Sequence, residues 1–311
     1  MLRFVAGALA ALGLFAALPL FVHNEYWFFA GYVVLQFIVL ATAWNILGGY
    51  AGYVNFGTGA FFAVGGYTAV ALYKAFALPL GLQILAGAAA SGLLGFGVGL
   101  LTLRLRGIFF SIATIAVAIV LETVVVNWSY VGGAKGLPTM RPASTPLFDS
   151  YTVWLFFVMA ALALLSVCIA RYIETSWIGR GLRAIRDNEG AAECSGVPTL
   201  KLKLGAATLS GALMGAAGAP FAQYLSFIEP SSSFSLTYAV NALAMPMIGG
   251  VGHWVGPVIG AVLLGTVQQW ATVRFQSEIN VLVVGVLLVV FVVAAPEGIL
   301  GLARRLFPGK R

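Results

Sequence analysis

The residues able to do chemistry in this chain are few and scattered. His23 and His253 are its two histidines, and Cys168 and Cys194 its two cysteines. HExxH, paired CxxC and GxxxxGK[ST] are all absent, so the sequence carries no signature of zinc, redox or nucleotide-hydrolysing chemistry. An integral-membrane enzyme would need His, Asp or Cys groups converging at one membrane face, and two distant histidines do not supply them. No cofactor is expected on the chain. What remains is polar chemistry in apolar surroundings. Glu122 stands in the run RGIFFSIATIAVAIVLETVVVNW, where an ionised carboxylate is costly unless it is paired or faces water. It either lines a polar path, meets a neighbouring helix, or reaches the interface close to the end of its segment. Asn55 and Thr58, in GGYAGYVNFGTGAFFAVGGY, and Asn241 are the other polar residues expected along such a path.

The densest chemistry lies in residues 176–203, SWIGRGLRAIRDNEGAAECSGVPTLKLK. Arg180, Arg183, Arg186, Lys201 and Lys203 face three acids, Asp187, Glu189 and Glu193, while Ala184, Ile185, Ala191, Ala192 and Val197 keep part of the run apolar. Asp187 or Asn188 can cap a helix start, Gly196 can take the left-handed position that ends it, and Pro198 forbids continuation. The pattern predicts a helix of about two turns over residues 188–195. Arg183 and Asp187, four apart, can pair on one face for only a few tenths of a kcal/mol if exposed. Stability therefore does not account for this much charge. The run is either a solvated loop whose cations fix an orientation, or a docking element for a soluble partner.

The elements that must position these groups are apolar. The chain has 311 residues, 61% hydrophobic and only 9% charged, with a mean hydropathy of +0.99. A soluble domain carries roughly 25% charged residues, so this is an all-α polytopic membrane protein. Residues 4–22 follow Arg3 and exceed the roughly 7–15 of a signal-peptide core, approaching the roughly 20 that span a bilayer. They are taken as a first span. Further spans are expected at 27–47, 56–74, 82–103, 108–127, 151–170, 204–224, 236–249, 255–270 and 279–295, about eight to ten in all. Glycine clusters at 48–67 and 249–260 suggest close helix packing, or broken and re-entrant helices lining a polar path. GGVGHWVG faintly echoes GGYAGYVN. Residues 128–150, rich in Gly, Pro and Ser, are expected as an external loop with structure of its own. With the N-terminus cytoplasmic and ten crossings, 13 of the 17 cations fall inside, and Lys74, Lys135, Arg141 and Arg274 outside. Both termini and the 176–203 run are then cytoplasmic.

Four pieces of the chain together resemble the M-type permease subunit of branched-chain amino-acid ABC importers, of the hydrophobic amino-acid uptake family. They are WNILGGYAGYVNFGTGAFFAVGGYT, RGIFFSIATIAVAIVLETVVVNW with GGAKGLP, GRGLRAIRDNEGAAECSGVPTLKLKLGAATLSGALMGAAGA, and APEGILGL, in family order over most of residues 44–302. The resemblance implies one transmembrane permease domain over residues 1–311, with a coupling loop at about 172–203 and an external loop at about 128–150. Gly190, Ala191, Ala192 and Gly196 occupy the positions of the EAA-type motif that engages an ATPase, with Gly190 where the general motif has Glu and Glu189 one place earlier. Arg183, Arg186 and Asp187 flank it. Implied partners are a second homologous permease, two cytoplasmic ATPase subunits carrying ATP and Mg, and a periplasmic substrate-binding protein, at a bacterial inner membrane. Branched-chain or other neutral amino acids are the expected substrates. Importers of this family for urea, amides or aromatic acids are the alternative, and a stand-alone channel or secondary transporter a more distant one.

Overall fold

A computed structural model describes residues 24–105, 107–139, 150–274 and 298–306, with five isolated positions between 282 and 290. The expected spans at 4–22 and 279–295 lie largely or wholly outside the described residues. Within them, all eight remaining expected spans are helices.

Helix α1 (Glu25–Ala51) runs through the middle of the bundle and is almost wholly buried along its second half. Its mean composition is apolar on every side, as suits a helix surrounded by others. Asn24 caps its start by accepting from Tyr26 N at 2.9 Å. Gly52 ends it at φ +79°, a left-handed conformation that a side chain would strain. After a break at residues 52–57 come α2 (Thr58–Phe76), α3 (Leu80–Thr102) and α4 (Ile108–Val126). The break is a real interruption of the helix, and its freed backbone groups find partners. Trp44 Nε1 donates to Asn55 O at 2.8 Å, Ser111 Oγ to Val54 O at 2.9 Å, and Phe56 N to Thr114 Oγ1 at 3.1 Å. Buried backbone N–H and C=O groups are costly when left unpaired, and these contacts pair them.

The loop after α4 has two short 3₁₀ turns and a two-residue strand β1 (Leu137–Pro138). Then α5 (Tyr151–Thr175) returns through the bundle, followed by α6 (Trp177–Asp187), α7 (Glu189–Cys194) and the long α8 (Thr199–Leu225). Strand β2 (Phe227–Ile228) pairs antiparallel with β1, matching Leu137 to Ile228 and Pro138 to Phe227. A turn α9 (Pro230–Ser233) leads to α10 (Leu236–Gly249), α11 (Val255–Arg274) and α12 (Gly298–Leu306).

Helices α1 and α8 form the centre. Small residues let α8 approach α2 and α3 closely: a Cβ on Gly211 would lie 2.7 Å from Ser91 O, and one on Gly95 2.7 Å from Ala207 O. Membrane helices associate through this kind of contact because lipid offers no hydrophobic drive between them. Aromatic stacking ties α1 to α8, with the Tyr32 and Tyr224 rings 4.1 Å apart and nearly parallel. By contrast α4 is the least buried of the apolar helices, showing Ile108, Phe109, Ile112, Ile119 and Val120 outward. Five described helices, α1, α3, α4, α5 and α8, are long and apolar enough to cross a membrane. The protein is an all-α, multi-pass membrane protein.

Candidate functional site

The polar run folds as two helices, not one. Residues 188–195 form the expected short helix, α7, with Asn188 Oδ1 accepting from Ala191 N at 3.1 Å and Gly196 just beyond it at φ +82°. Ahead of it lies a helix that the sequence reading treated as part of the loop. Helix α6 turns Gly179, Gly181, Leu182 and Ile185 inward and leaves Arg180 and Arg186 exposed, an amphipathic split with the apolar stripe on the bundle. The expected Arg183–Asp187 pair is not what Arg183 makes: its Nη2 donates to Glu174 O at 2.8 Å, across the α5–α6 corner.

Two anchors fix this element. The first is a buried ring of charge and phenol. Lys203 Nζ donates to Glu189 Oε1 at 2.5 Å, to Tyr53 OH at 3.1 Å and to Leu103 O at 3.1 Å, while Tyr53 OH donates to Glu189 Oε2 at 2.9 Å. Burial holds the Tyr53 phenol above its usual pKa, so it remains a donor to the carboxylate. Lys203 was expected among the solvated cations of the run; at 4% exposure it is a core residue instead. The physical reason is its position on α8, one turn inside the helix, where its stem lies against Tyr53 with Nζ 5.0 Å from the ring centre.

The second anchor joins the two glycine clusters. Arg186 Nη1 donates to Gly49 O at 2.7 Å, and the same guanidinium borders Gly252 closely enough that a Cβ there would lie 3.0 Å from it. Asn45 accepts from Gly252 N at 3.2 Å. Glu174 accepts from Trp254 N at 2.6 Å and from Tyr50 OH at 3.3 Å, with His253 Nε2 3.7 Å away. The segments GGYAGYVN and GGVGHWVG, similar in sequence, therefore meet at one end of the bundle, beneath α6.

The sequence-expected residues divide accordingly. Glu189 turns inward to the ring, Ala192 is buried, and Glu193 accepts from Thr199 Oγ1 at 2.7 Å. Asp187, Gly190, Ala191 and Gly196 are exposed, as is Arg186 outside its contact with Gly49. The expected path residues are not gathered into one place. Asn55 Oδ1 accepts from Gly57 N at 2.7 Å and caps the turn into α2, where Thr58 is fully buried. Asn241 on α10 accepts from Gln268 Nε2 at 2.9 Å, tying α10 to α11. Glu122 lies on the exposed helix α4, eight residues past Thr114, which is about 12 Å farther along the axis from the α1–α2 break. Sequence reasoning missed Glu174, Tyr50 and Tyr53. Their signal was two tyrosines three apart inside a glycine cluster, phenols that need a partner when buried.

An apolar bundle carrying an amphipathic, charge-anchored helix pair at one end defines a multi-pass membrane protein. The chain matches the family described as branched-chain amino acid transport system, permease component, over residues 28–292, and it belongs to that family. It is 29% identical over 301 residues to the high-affinity branched-chain amino acid transport system permease protein LivM of Salmonella typhimurium, covering 88% of this chain and 69% of that one. The Escherichia coli LivM is 28% identical over the same span. A probable branched-chain amino acid transport permease LivH of Methanocaldococcus jannaschii is 28% identical over 272 residues, 79% of this chain and 82% of the relative. No solved structure gives a significant match.

Proposed function

We propose that this chain is the permease subunit of an ABC importer for branched-chain or other neutral amino acids, driven by ATPase subunits that dock on α6 and α7. The observation that carries the reading is the division of α7. Its inner side is locked by the Glu189–Lys203–Tyr53 ring, and its outer side presents small, exposed residues, Gly190 and Ala191, with Asp187 and Arg186 beside them. A small, rigid, outward surface suits a groove on a partner and does not need a bound ligand. ATP and Mg belong to the partner, which explains why the chain has no P-loop of its own. The working assembly comprises this chain, a second homologous permease, two ATPases and a periplasmic substrate-binding protein. The cation asymmetry directs α6, α7 and both termini to the cytoplasm of a bacterial inner membrane. ATP-driven closure of the ATPase pair then displaces α6–α7, and rigid helices pass the displacement on as alternating access. Such coupling requires an element that the two ATPase states bind with different free energies.

The test is a pull-down of the tagged chain from mildly solubilised membranes with an ATPase assay on the eluate. Recovery of a second permease and P-loop ATPases is expected. Ala191→Glu places a carboxylate on the docking surface; it should keep the permease pair and lose the ATPases or their coupling to uptake. Unchanged transport in that variant would sink the docking assignment.

A further inference from the structure

We propose that Lys203 is a positioning residue for transport, its ammonium being the node through which displacement of α7 reaches the α1–α2 break and the α3–α4 turn. This rests on the importer reading and specifies how its docking element acts. An ammonium has three N–H donors and no acceptor. Here each donor goes to a different part of the fold: Glu189 at the start of α7, Tyr53 in the α1–α2 break, and the Leu103 carbonyl at the end of α3. Lys203 itself belongs to α8, so four elements meet at one nitrogen. Tyr53 closes the ring by donating to the other oxygen of Glu189. At this burial Glu189 and Lys203 cannot separate without stranding a charge, so a shift of Glu189 carries Lys203 with it, and Tyr53, bonded to both, follows.

Two further features fit a moving joint better than a static brace. Docking alone does not call for a buried ion pair, since apolar residues of similar volume commonly hold a fold as well. Between α6 and helices α1, α5 and α8, a largely apolar groove of about 310 Å³ opens, lined by Ile46, Ile173, Ile178, Leu182 and Leu202, with Lys201 also bordering it. Among the described residues, helix α6 is thus held through the polar contacts of Arg183 and Arg186 and leaves space beside its apolar face. Interiors transmit strain where packing is dense and yield where it is not. The α6–α7 pair has room to shift into the groove while the ring drags the break with it.

The experiment reconstitutes the whole importer in proteoliposomes and measures uptake of radiolabelled leucine per ATP hydrolysed. Three variants are compared with the wild type: Lys203→Met, the double variant Lys203→Met with Glu189→Leu, and Tyr53→Phe. The double variant removes both charges, so it restores any assembly lost to a stranded carboxylate. The expected result is an assembled double variant that still hydrolyses ATP but whose uptake per ATP falls fivefold or more, the lower end of ordinary coupling at about 5–150-fold. Tyr53→Phe should fall in the same direction with assembly intact. Wild-type uptake per ATP in the double variant overturns the proposal, because the ring then serves only to hold the fold. If neither Lys203 variant assembles, Tyr53→Phe decides, and an unchanged ratio there overturns it. A wild-type complex without ATP-driven uptake of leucine or of any other neutral amino acid overturns the importer reading itself, an outcome separate from all of these.

Discussion

Glu174 shows how much one carboxylate at a helix end can organise. It sits in the last turn of α5, receives Trp254 N and Tyr50 OH, and has His253 close by, while its own carbonyl takes Arg183. Above the neighbouring Trp254 ring, Arg171 places its guanidinium 5.3 Å from the ring centre. The α11 entry turn and the end of α1 meet at its carboxylate, and α6 is held to its backbone carbonyl through Arg183. Glu174→Ala removes the acceptor of the Trp254 N–H, a cost of about 1–3 kcal/mol if it is left unpaired, while Tyr50 OH keeps its second acceptor, Ala170 O at 3.3 Å. Thermal unfolding in detergent should therefore show a lower midpoint for Glu174→Ala than for Glu174→Gln, whose amide oxygen keeps an acceptor in place. Equal midpoints would mean that Trp254 N finds water or another acceptor. At the same scale, the inward turn of Glu189 separates two acids that sequence alone could not rank, since Glu189 and Glu193 differ by one helical turn and by nothing in composition.

Helix packing can be tested at two positions two residues apart. On α3, a Cβ at Gly95 would press within 2.7 Å of the Ala207 carbonyl of α8, whereas one at Gly97 meets nothing within 4 Å. Gly95→Ala should destabilise by about 1–3 kcal/mol through overpacking. Gly97→Ala should be neutral or stabilising by about 0.5–1 kcal/mol, since alanine restricts the helix less unfavourably than glycine. Comparing folded yield and melting of the two variants separates steric contact from helix propensity. Much of this architecture was legible beforehand because it is local. Apolar run length placed eight helices, and Asn188, Gly196 and Pro198 bounded α7 through capping chemistry that acts over a few residues. Helix α6 was missed because its charges read as a loop, although Ile178, Leu182 and Ile185 repeat at intervals of four and three along one face. The Tyr53–Lys203 contact joins residues 150 apart, and no local pattern encodes it.

For the whole molecule, the two cysteines offer a test of sidedness. Cys194 is exposed on α7 and Cys168 lies partly covered within the spanning helix α5. Thiol labelling proceeds through the thiolate, which forms readily only in water. A membrane-impermeant maleimide should modify Cys194 in inside-out vesicles and leave it untouched in right-side-out ones. Labelling from the opposite side would reverse the orientation and with it the cytoplasmic docking face. The bundle also has an order of construction built into it. Tyr53 and the α1–α2 break are synthesised early, yet the residue that saturates them, Lys203, is added 150 residues later. At about 5–20 residues per second the ribosome needs roughly 8 to 30 seconds to reach it. The β1–β2 clasp at the opposite end likewise waits for the strand that follows α8. Until α8 enters the membrane, then, the nascent chain holds an interrupted helix with an incomplete set of partners. Insertion of α8 supplies Lys203 to one end of the bundle and brings in the strand that pairs β1 at the other, so a chain stopped short of it keeps Tyr53 and β1 without these partners.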